Sequence, residues 1–384
     1  MGYRGSKSES LYKNLNNFNP QPIQNSVKEQ RVDGSWRFHK RLRCTLTGCE
    51  SSYQIKIPSK QLNNRSFYRT ISTMAKQNLN PWFITGFTDA EGCFSLKIQQ
   101  NAKLKTNWRV RPVFSITLHV KDLLLLESIK NTLGVGKISK SNKTVIFAVD
   151  SIKEISVILN HFDQYPLVTH KLSDYLIFKQ CFEIIKRNDH RTEKGLLELI
   201  SLKSYLNLGL PNNLKIHFPN IIPKDRPEYK FKGIPNPFWV SGFTSGDGSF
   251  HIVIRGLNSK PGPFRIGTGV FVRFSIHLHI REVEILKGLA TYFKLLTKNS
   301  NSTYVNKKVT ILKRSASLQL SKLSDIIDII IPFFNEYPIM GKKSLDFEDF
   351  KKVCHIIKTK KHLESPLVFN NILKIKSGMN LNRE

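Results

Sequence analysis

Apolar and polar positions alternate along several stretches of the chain, and other stretches carry apolar residues at helical spacing. After Gly92, the side chains of Phe94, Leu96 and Ile98 would share one face of a strand, with polar residues between them. A second alternating stretch spans 108–118, and short strand-like runs occur at 136–139 and 144–149. Amphipathic helices are predicted at 121–133, 152–162 and 171–187. These patterns predict an α+β unit with the element order αββαββα.

The chain contains this pattern twice. The segment NPWFITGFTDAEGCFSLKI begins at Asn80, and NPFWVSGFTSGDGSFHIVI begins at Asn236. Two further pairs follow in the same order: FSITLHVKD with FSIHLHIRE, then YPLVTHK with YPIMGKK. Three matched blocks in one order indicate an internal duplication that produces two pseudosymmetric halves.

The duplication and the local composition divide the chain into five segments. The stretch between the repeats is rich in Pro, Asn and Gly, which is typical of a linker, and the first repeat is preceded by residues without a counterpart. The predicted segments are a basic leader at 1–76 that is poorly ordered apart from a short strand at SYQIKIP, a first unit at 77–190, a linker at 191–234, a second unit at 235–363 and a C-terminal tail at 364–384.

Each repeat opens with a helix that has start and stop signals. Asn-Pro at 80–81 and at 236–237 predicts an N-cap followed by proline at the first helical position. Gly92 and Gly248 follow the last predicted helical residues. Because glycine commonly ends a helix in the left-handed conformation, we expect a left-handed C-cap at both positions.

Small residues recur four apart on both of these helices. Gly86 precedes Ala90, and Gly242 precedes Gly246. Small side chains on one face let two helix backbones approach closely. We therefore expect the two helices to pack against each other at the centre of the molecule. The alternative is that these glycines lie in loops.

One carboxylate is repeated at the end of each helix. Glu91 aligns with Asp247, whereas Asp89 aligns with Ser245. An acid at a helix C-terminus faces the negative end of the helix dipole, and helix packing would bring the two acids together. A divalent cation relieves both effects, and Mg²⁺ typically uses one or two carboxylates with substrate phosphates. We interpret Glu91 and Asp247 as metal ligands and Asp89 as structural, with two solvated acids as the alternative.

A basic pair precedes the last helix of each unit, His170-Lys171 in the first and Lys342-Lys343 in the second. A lysine near a scissile phosphate would stabilise developing negative charge. The alternative is that these residues are cations without a particular partner.

The charge of the chain indicates its class of partner. Sixty Lys and Arg against 29 Asp and Glu give a formal net charge of +31. Such a protein usually binds nucleic acid, although a ribosomal or anionic membrane surface would satisfy the charge alone. A twisted antiparallel ribbon fits the DNA major groove. The outward strand positions predicted to bind DNA are Ser95, Lys97, Gln99, Arg109, Arg111, Thr117, His251, Arg255, Arg273 and His277.

Cysteine spacing and hydropathy argue against a disulfide-linked protein and against a membrane protein. The five cysteines have no metal-ligand spacing beyond one Cys-x4-Cys, at Cys44 and Cys49, which predicts free thiols in a reducing compartment. No apolar run reaches the roughly 18 residues of a membrane span, so we expect no membrane partner.

The repeated segments resemble a known family. WFITGFTDAEG and WVSGFTSGDG are similar to the paired motifs of LAGLIDADG homing endonucleases, in the single-chain form, and the likeness covers about residues 78–363. The resemblance implies a monomer in which the motif helices pack at the centre and two saddle-shaped antiparallel sheets lie over double-stranded DNA. It also implies a Mg²⁺-dependent, staggered double-strand break in a long asymmetric target, which promotes intron homing.

The resemblance further implies roles for individual residues. It assigns catalysis to Glu91, Asp247, Lys171 and Lys343, with His170 and Lys342 competing for the basic role. It assigns metal coordination to Glu91, Asp247 and the carbonyl groups of Ala90 and Gly246. Because the aspartate is one methylene shorter than the glutamate, the resemblance implies unequal cutting rates on the two strands.

Proteins of this kind are typically encoded within introns of fungal mitochondrial genes, so the resemblance implies an organelle-encoded protein of the mitochondrial matrix. Two alternative functions use the same fold. An RNA maturase would bind its own intron RNA and assist splicing, and a catalytically inactive member would bind DNA without cutting it. Retention of both repeated acids favours the endonuclease.

Overall fold

The structure is a computed structural model of the chain. It describes residues 28–30, 36–38, 78–207, 209–255, 269–296, 308–380 and 383. Two compact units are present, Met1–Phe67 and Tyr68–Glu384. In the first unit, strand β1 (Lys28–Gln30) pairs antiparallel with β2 (Trp36–Phe38). The rest of the predicted leader, including the strand at SYQIKIP, lies outside the described residues.

The first half of the second unit contains a four-stranded antiparallel sheet and helices. Its elements are α1 (Pro81–Glu91), β3 (Gly92–Gln100), β4 (Trp108–His119), α2 (Leu123–Leu133), β5 (Lys137–Lys140), β6 (Thr144–Val149), α3 (Ile152–Gln164) and α4 (Lys171–Lys186). The strand order is β3-β4-β6-β5. The predicted fold class is confirmed, and the final helical element of the predicted order consists of two successive helices, α3 and α4.

The segment 191–234, predicted as a linker, contains two helices, α5 (Glu193–Lys203) and α6 (Asn212–His217). Leu196 and Leu199 of α5 are buried in one core with Leu96 and Ile98 of β3. The beginning of this segment therefore packs as part of the first half. The composition that predicted a linker applies to the stretch after α5.

The second half repeats the architecture. Its elements are α7 (Pro237–Asp247), β7 (Gly248–Ile254), β8 (Val270–His279), α8 (Val283–Leu295), β9 (Val309–Ile311), β10 (Ser315–Leu320), α9 (Leu323–Asp325), α10 (Ile331–Glu336) and α11 (Lys343–Lys358). The strand order is β7-β8-β10-β9. Across the described parts of both halves, no helix has the length and apolar character that crossing a bilayer requires.

The C-terminal tail predicted at 364–384 is largely helical. Helix α12 (Pro366–Ser377) buries Phe369 and Ile372 in the core of the second half. Arg383 then forms an ion pair with Asp346 of α11, with 2.7 Å between Nε and Oδ1. The tail thus packs onto the second half, because its apolar residues have the helical spacing of a core-facing helix.

Both sheets bury the apolar face that the alternating pattern predicts. Phe94, Leu96 and Ile98 of β3 are buried, as are Phe250 and Ile252 of β7. Full burial of one such side chain stabilises the fold by about 1.5–3 kcal/mol. The alternate side chains of each strand consequently lie on the opposite face of the sheet, away from the helices.

The N-termini of α1 and α7 confirm the predicted caps. The side-chain oxygen of Asn80 accepts a hydrogen bond from the N–H of Trp82 at 2.9 Å, and that of Asn236 accepts one from Phe238 at 2.9 Å. A proline occupies the first turn of each helix. The caps satisfy amide groups that have no acceptor within the helix.

The predicted left-handed C-caps are wrong. Gly92 has φ −74° and ψ 153°, and Gly248 has φ −75° and ψ 157°, so both are extended and begin the following strand. Glycine is required for a steric reason. A Cβ atom on Gly92 would lie 2.4 Å from Cγ2 of Thr88, and one on Gly248 would lie 2.4 Å from Cγ2 of Thr244. Each strand leaves directly over the last helical turn, where there is no room for a side chain.

Helices α1 and α7 pack against each other at the centre, as their small residues predict. A Cβ atom on Gly86 would lie 2.1 Å from the carbonyl oxygen of Trp239, and one on Gly242 would lie 2.1 Å from that of Phe83. Contacts this short show that the two backbones touch without intervening side chains. The repeated acids are thereby carried to one place.

Candidate active site

The repeated acids end the two central helices. Glu91 is the last residue of α1, and Asp247 is the last residue of α7. The helix ends are adjacent, since a Cβ atom on Gly246 would lie 2.3 Å from Cβ of Ala90 and 3.6 Å from Oε1 of Glu91. Both acids are half-buried. Packing of α1 on α7 therefore brings two carboxylates together while leaving them accessible to solvent.

A lysine is bound at the C-terminus of each central helix. The ammonium group of Lys171 donates hydrogen bonds to the carbonyl oxygens of Thr88 at 2.9 Å, Ala90 at 3.4 Å and Gly92 at 2.6 Å. Lys343 donates to the carbonyl oxygens of Thr244, at 3.3 Å, and Gly246. The Thr88 and Thr244 carbonyls already accept the N–H groups of Gly92 and Gly248, so each lysine adds a charged donor at the helix end. It thereby offsets the negative end of the helix dipole.

The acids and lysines form one cluster of charge. Burial of the ammonium group lowers the pKa of Lys171, against the opposing effect of nearby Asp89, Asp247 and Glu91. Burial likewise lowers the pKa of Lys343, with Asp247 and Glu91 opposing it. Each lysine is therefore affected by the repeated acids of both halves, as expected for charges held close together in a partly desolvated place.

Asp89 is a structural residue that joins the two halves. Its buried carboxylate accepts hydrogen bonds from the N–H groups of Val168 at 2.9 Å and Thr169 at 3.1 Å, and from the Thr169 hydroxyl at 2.6 Å. It also accepts one from Nε1 of Trp239, in α7, at 2.8 Å. These four donors hold the carboxylate at the contact between α1 and α7.

The two residues of each basic pair make different contacts. Lys171 and Lys343 reach the central helices, whereas the residues before them contact acids of the opposite half. The Nδ1 atom of His170 lies 3.0 Å from Oε2 of Glu282, and the N–H group of Lys342 donates to Oδ1 of Asp122 at 2.7 Å.

The donor set at the helix ends fits a hard divalent cation. Glu91 and Asp247 supply carboxylate oxygens, and Ala90 and Gly246 supply carbonyl oxygens, which are the ligand types of Mg²⁺. Both carbonyl groups also accept a hydrogen bond from a lysine. Among the described residues, no group of three or more His, Cys, Asp or Glu side chains could hold a metal ion. A cation at this place would take its remaining ligands from phosphate or water.

The first sheet presents a basic face between its buried positions. Lys97 lies opposite Arg111, and Gln99 lies opposite Arg109, in the antiparallel pairing of β3 with β4. The exposed members of the predicted set in this half are Lys97, Gln99, Arg109 and Thr117. Ser95 and Arg111 are half-buried and already have partners: the Ser95 hydroxyl donates to the Val113 carbonyl at 3.2 Å, and Arg111 lies 3.9 Å from Asp150.

The second sheet presents an equivalent face. His251 lies opposite Arg273 in the pairing of β7 with β8. Burial, together with the charge of Arg273, lowers the pKa of His251, which favours the neutral imidazole. Arg255 is exposed and lies over the Phe271 ring, 4.8 Å from its centroid. His277 is exposed. The predicted DNA-binding residues therefore occupy one face of each sheet.

Comparison with known proteins identifies the family. The model of the LAGLIDADG endonuclease family matches residues 84–182 and 240–354, one match in each half. The chain belongs to the LAGLIDADG endonuclease family. Each match runs from a LAGLIDADG helix, α1 or α7, into the helix that begins with Lys171 or Lys343.

Two curated relatives come from the fungus Neurospora crassa. The chain is 33% identical to "Probable intron-encoded endonuclease 3" of Neurospora crassa, covering 94% of this chain and 67% of that protein. It is 37% identical to "Probable intron-encoded endonuclease 2" of the same organism, covering 78% of this chain and 65% of that protein. The chain thus spans about two thirds of the length of these relatives.

Solved LAGLIDADG structures share the fold. The meganuclease I-CpaMI, bound to uncleaved DNA, is 46% identical with a TM-score of 0.72, covering 79% of this chain and all of that chain. The homing endonuclease I-SmaMI, bound to cleaved DNA, is 38% identical with a TM-score of 0.70, covering 80% of this chain and 99% of that chain. I-SmaMI has also been solved on uncleaved DNA in the presence of calcium ions.

Sequence reasoning missed three residues that organise the site. Trp239 binds Asp89, Asp122 binds Lys342, and Glu282 binds His170. Asp122 and Glu282 end the repeated blocks FSITLHVKD and FSIHLHIRE, so their duplication was a visible signal. The partners of Asp122 and Glu282 lie in the opposite half of the LAGLIDADG protein. No local sequence pattern indicates a contact between the halves.

Proposed function

We propose that this chain is a Mg²⁺-dependent, site-specific DNA endonuclease that makes a staggered double-strand break in a long asymmetric target. The observation that carries the proposal is the convergence of Glu91 and Asp247 at adjacent helix ends, between two sheets with basic outer faces. Single-chain pseudosymmetry supplies both acids from one monomer. One acid for each half suits a reaction that occurs once on each DNA strand.

The residues have distinct roles in this proposal. Glu91, Asp247 and the carbonyl groups of Ala90 and Gly246 would hold Mg²⁺. When bound, Mg²⁺ would stabilise charge on the scissile phosphate and lower the pKa of a bound water. The ammonium groups of Lys171 and Lys343 donate hydrogen bonds to carbonyl groups of α1 and α7, so they hold the acid-bearing helix ends in place and add positive charge beside them.

DNA binding is assigned to the outer faces of the sheets. Lysine and arginine side chains there would contact phosphates, while neighbouring polar side chains would contact base edges in the major groove. Because Glu91 reaches one methylene further than Asp247, we propose that the two strands are cut at different rates. The names of the two Neurospora crassa relatives support an intron-encoded endonuclease. We propose that the protein acts in the mitochondrial matrix and promotes homing of its intron.

The proposal is tested with purified protein and a plasmid that carries the exon sequence flanking the reading frame. The protein should linearise this plasmid with Mg²⁺ and leave it intact with EDTA. Glu91→Gln should slow cleavage by at least about a hundredfold, since it removes a metal ligand, and should retain DNA affinity. Glu284→Gln, at an exposed acid paired with Lys287, is the matched control and should cleave normally. DNA binding without any cleavage would instead support an inactive DNA-binding protein.

A further inference from the structure

Two acids stand at equivalent positions where the long strands end. Asp122 immediately precedes α2, and Glu282 immediately precedes α8. Each occupies the N-cap position of its own helix, yet neither side chain makes a capping hydrogen bond there. An aspartate at the N-cap commonly accepts a hydrogen bond from an amide group of its own helix. Both acids bind elsewhere.

Each acid binds the start of a lysine-bearing helix in the opposite half. Oδ1 of Asp122 accepts a hydrogen bond from the N–H of Lys342 at 2.7 Å. Oε2 of Glu282 lies 3.3 Å from the N–H of His170 and 3.0 Å from its Nδ1. Lys342 and His170 are the N-cap residues of α11 and α4, whose first residues are Lys343 and Lys171.

The contact at Asp122 is sterically tight. Gly341 has φ +71°, and a Cβ atom there would lie 2.6 Å from Oδ1 of Asp122. The chain before α11 therefore lies directly on the carboxylate, in a left-handed conformation that glycine adopts without strain. Glu282 is equally confined, with 5% of its surface exposed, and its other oxygen lies 3.4 Å from Nε of Arg281.

A carboxylate at the N-terminus of a helix interacts favourably with the unpaired amide groups and the helix dipole. Here the carboxylate comes from one half and the helix from the other. The lysine at the start of that helix then binds the C-terminus of the central helix of its own half. An acid of one half thus contacts the N-terminus of a helix in the other half. The first lysine of that helix in turn contacts the end of the central helix that carries the repeated acid.

We infer that Asp122 and Glu282 are positioning residues, each of which sets the placement of the active-site lysine in the opposite half. The inference rests on the proposed endonuclease function. Asp122 supports the site at Lys343, and Glu282 supports the site at Lys171. The lysine of each half is therefore fully positioned only when the other half is docked against it.

The inference predicts opposite strand biases for two variants. On a duplex with a different fluorophore at each 5′ end, Asp122→Ala should cut one strand about tenfold more slowly, a change of about 1.4 kcal/mol in activation free energy, and the other strand nearly normally. Glu282→Ala should slow the other strand. DNA affinity should be unchanged for both. Asp122→Asn and Glu282→Gln retain an acceptor oxygen and should restore most of the rate.

Glu284→Ala removes an exposed acid two residues from Glu282 and is the control for loss of charge alone. Equal slowing of both strands, or slowing of the same strand by Asp122→Ala and Glu282→Ala, would overturn the inference.

Amide hydrogen exchange tests the cap independently of cleavage. Asp122→Ala should accelerate exchange within 338–345, in the opposite half, and Asp122→Asn should not. Unchanged exchange in Asp122→Ala would refute the cap even if the wild-type protein cleaves. Absence of cleavage by the wild-type protein would count against the proposed function and leave the exchange result as the test of the cap.

Discussion

Equivalent residues of the two halves have diverged together at the contact between the central helices. Asp89 accepts a hydrogen bond from Nε1 of Trp239, whereas the position equivalent to Trp239 in the first half is Phe83, which has no donor. The position equivalent to Asp89 is Ser245, whose hydroxyl donates to the Ser241 carbonyl at 2.8 Å. The carboxylate of Asp89, which can accept more hydrogen bonds than the Ser245 hydroxyl, thus occurs where the buried indole N–H of Trp239 needs an acceptor.

This difference predicts unequal costs of truncation. Asp89→Ala leaves several buried donors without an acceptor and should lower the free energy of unfolding by about 3 kcal/mol. Ser245→Ala is the matched control, and its cost should be about 1 kcal/mol because fewer groups are left unpaired. Urea denaturation followed by circular dichroism measures both. Equal losses for the two variants would show that the contact with Trp239 contributes nothing particular to Asp89.

At the scale of elements, close packing of α1 and α7 determines where the acids meet. The helices approach through glycine at the crossing and through Ala90 and Gly246 near their ends. Their C-termini then carry like charges side by side, which the two lysines offset. A change in helix separation would therefore alter the stability of the protein and the spacing of the acids together.

Gly86→Ala tests this packing. The added methyl group would overlap the Trp239 carbonyl oxygen, at 2.1 Å, so the helices must separate. We expect a loss of about 3 kcal/mol in unfolding free energy, the upper part of the usual range for overpacking. Gly378→Ala is the control, because a Cβ atom there would lie 3.7 Å from its nearest neighbour, the carbonyl oxygen of Ile375. Thermal denaturation with similar midpoints for Gly86→Ala, Gly378→Ala and the wild type would contradict the close approach.

At the scale of the whole molecule, both four-stranded sheets carry basic side chains on one face. The net charge of +31 provides a general attraction to DNA. The pairing of Lys97 with Arg111 and of Gln99 with Arg109 concentrates part of that charge on one face of the first sheet. The helices cover the opposite face, where Leu96 and Ile98 pack with α5. Phosphate contacts should therefore be made by one side of each sheet.

The salt dependence of DNA binding should distinguish the two sides. The logarithm of the binding constant should fall linearly with the logarithm of salt concentration, by about 0.9 for each phosphate neutralised. Arg109→Ala should reduce the magnitude of this slope by about 0.9, the contribution of one phosphate contact. Lys194→Ala changes an exposed residue of α5, on the helical side, and should leave the slope unchanged. Fluorescence anisotropy measures both, and equal effects would exclude the first sheet face as the binding surface.

The sequence by itself determined the duplication, the strand faces, the starts of the central helices and the repeated acids. These features depend on local periodicity or on matching blocks, which are visible along the chain. Tertiary structure decided the remaining features. The extended conformation of Gly92 depends on the direction in which the strand leaves the helix, and the packing of α5 and α12 depends on which apolar surfaces remain uncovered.

The links between the halves were likewise decided only by folding. Asp89 meets Trp239 across 150 residues, and Asp122 meets Lys342 across 220 residues. Sequence identified Glu91 and Asp247 as a pair because they are repeated, but it contained no local signal for partners so distant. Those partners are chosen by the packing of α1 on α7, which brings together groups whose hydrogen-bonding capacity must be satisfied once water is excluded.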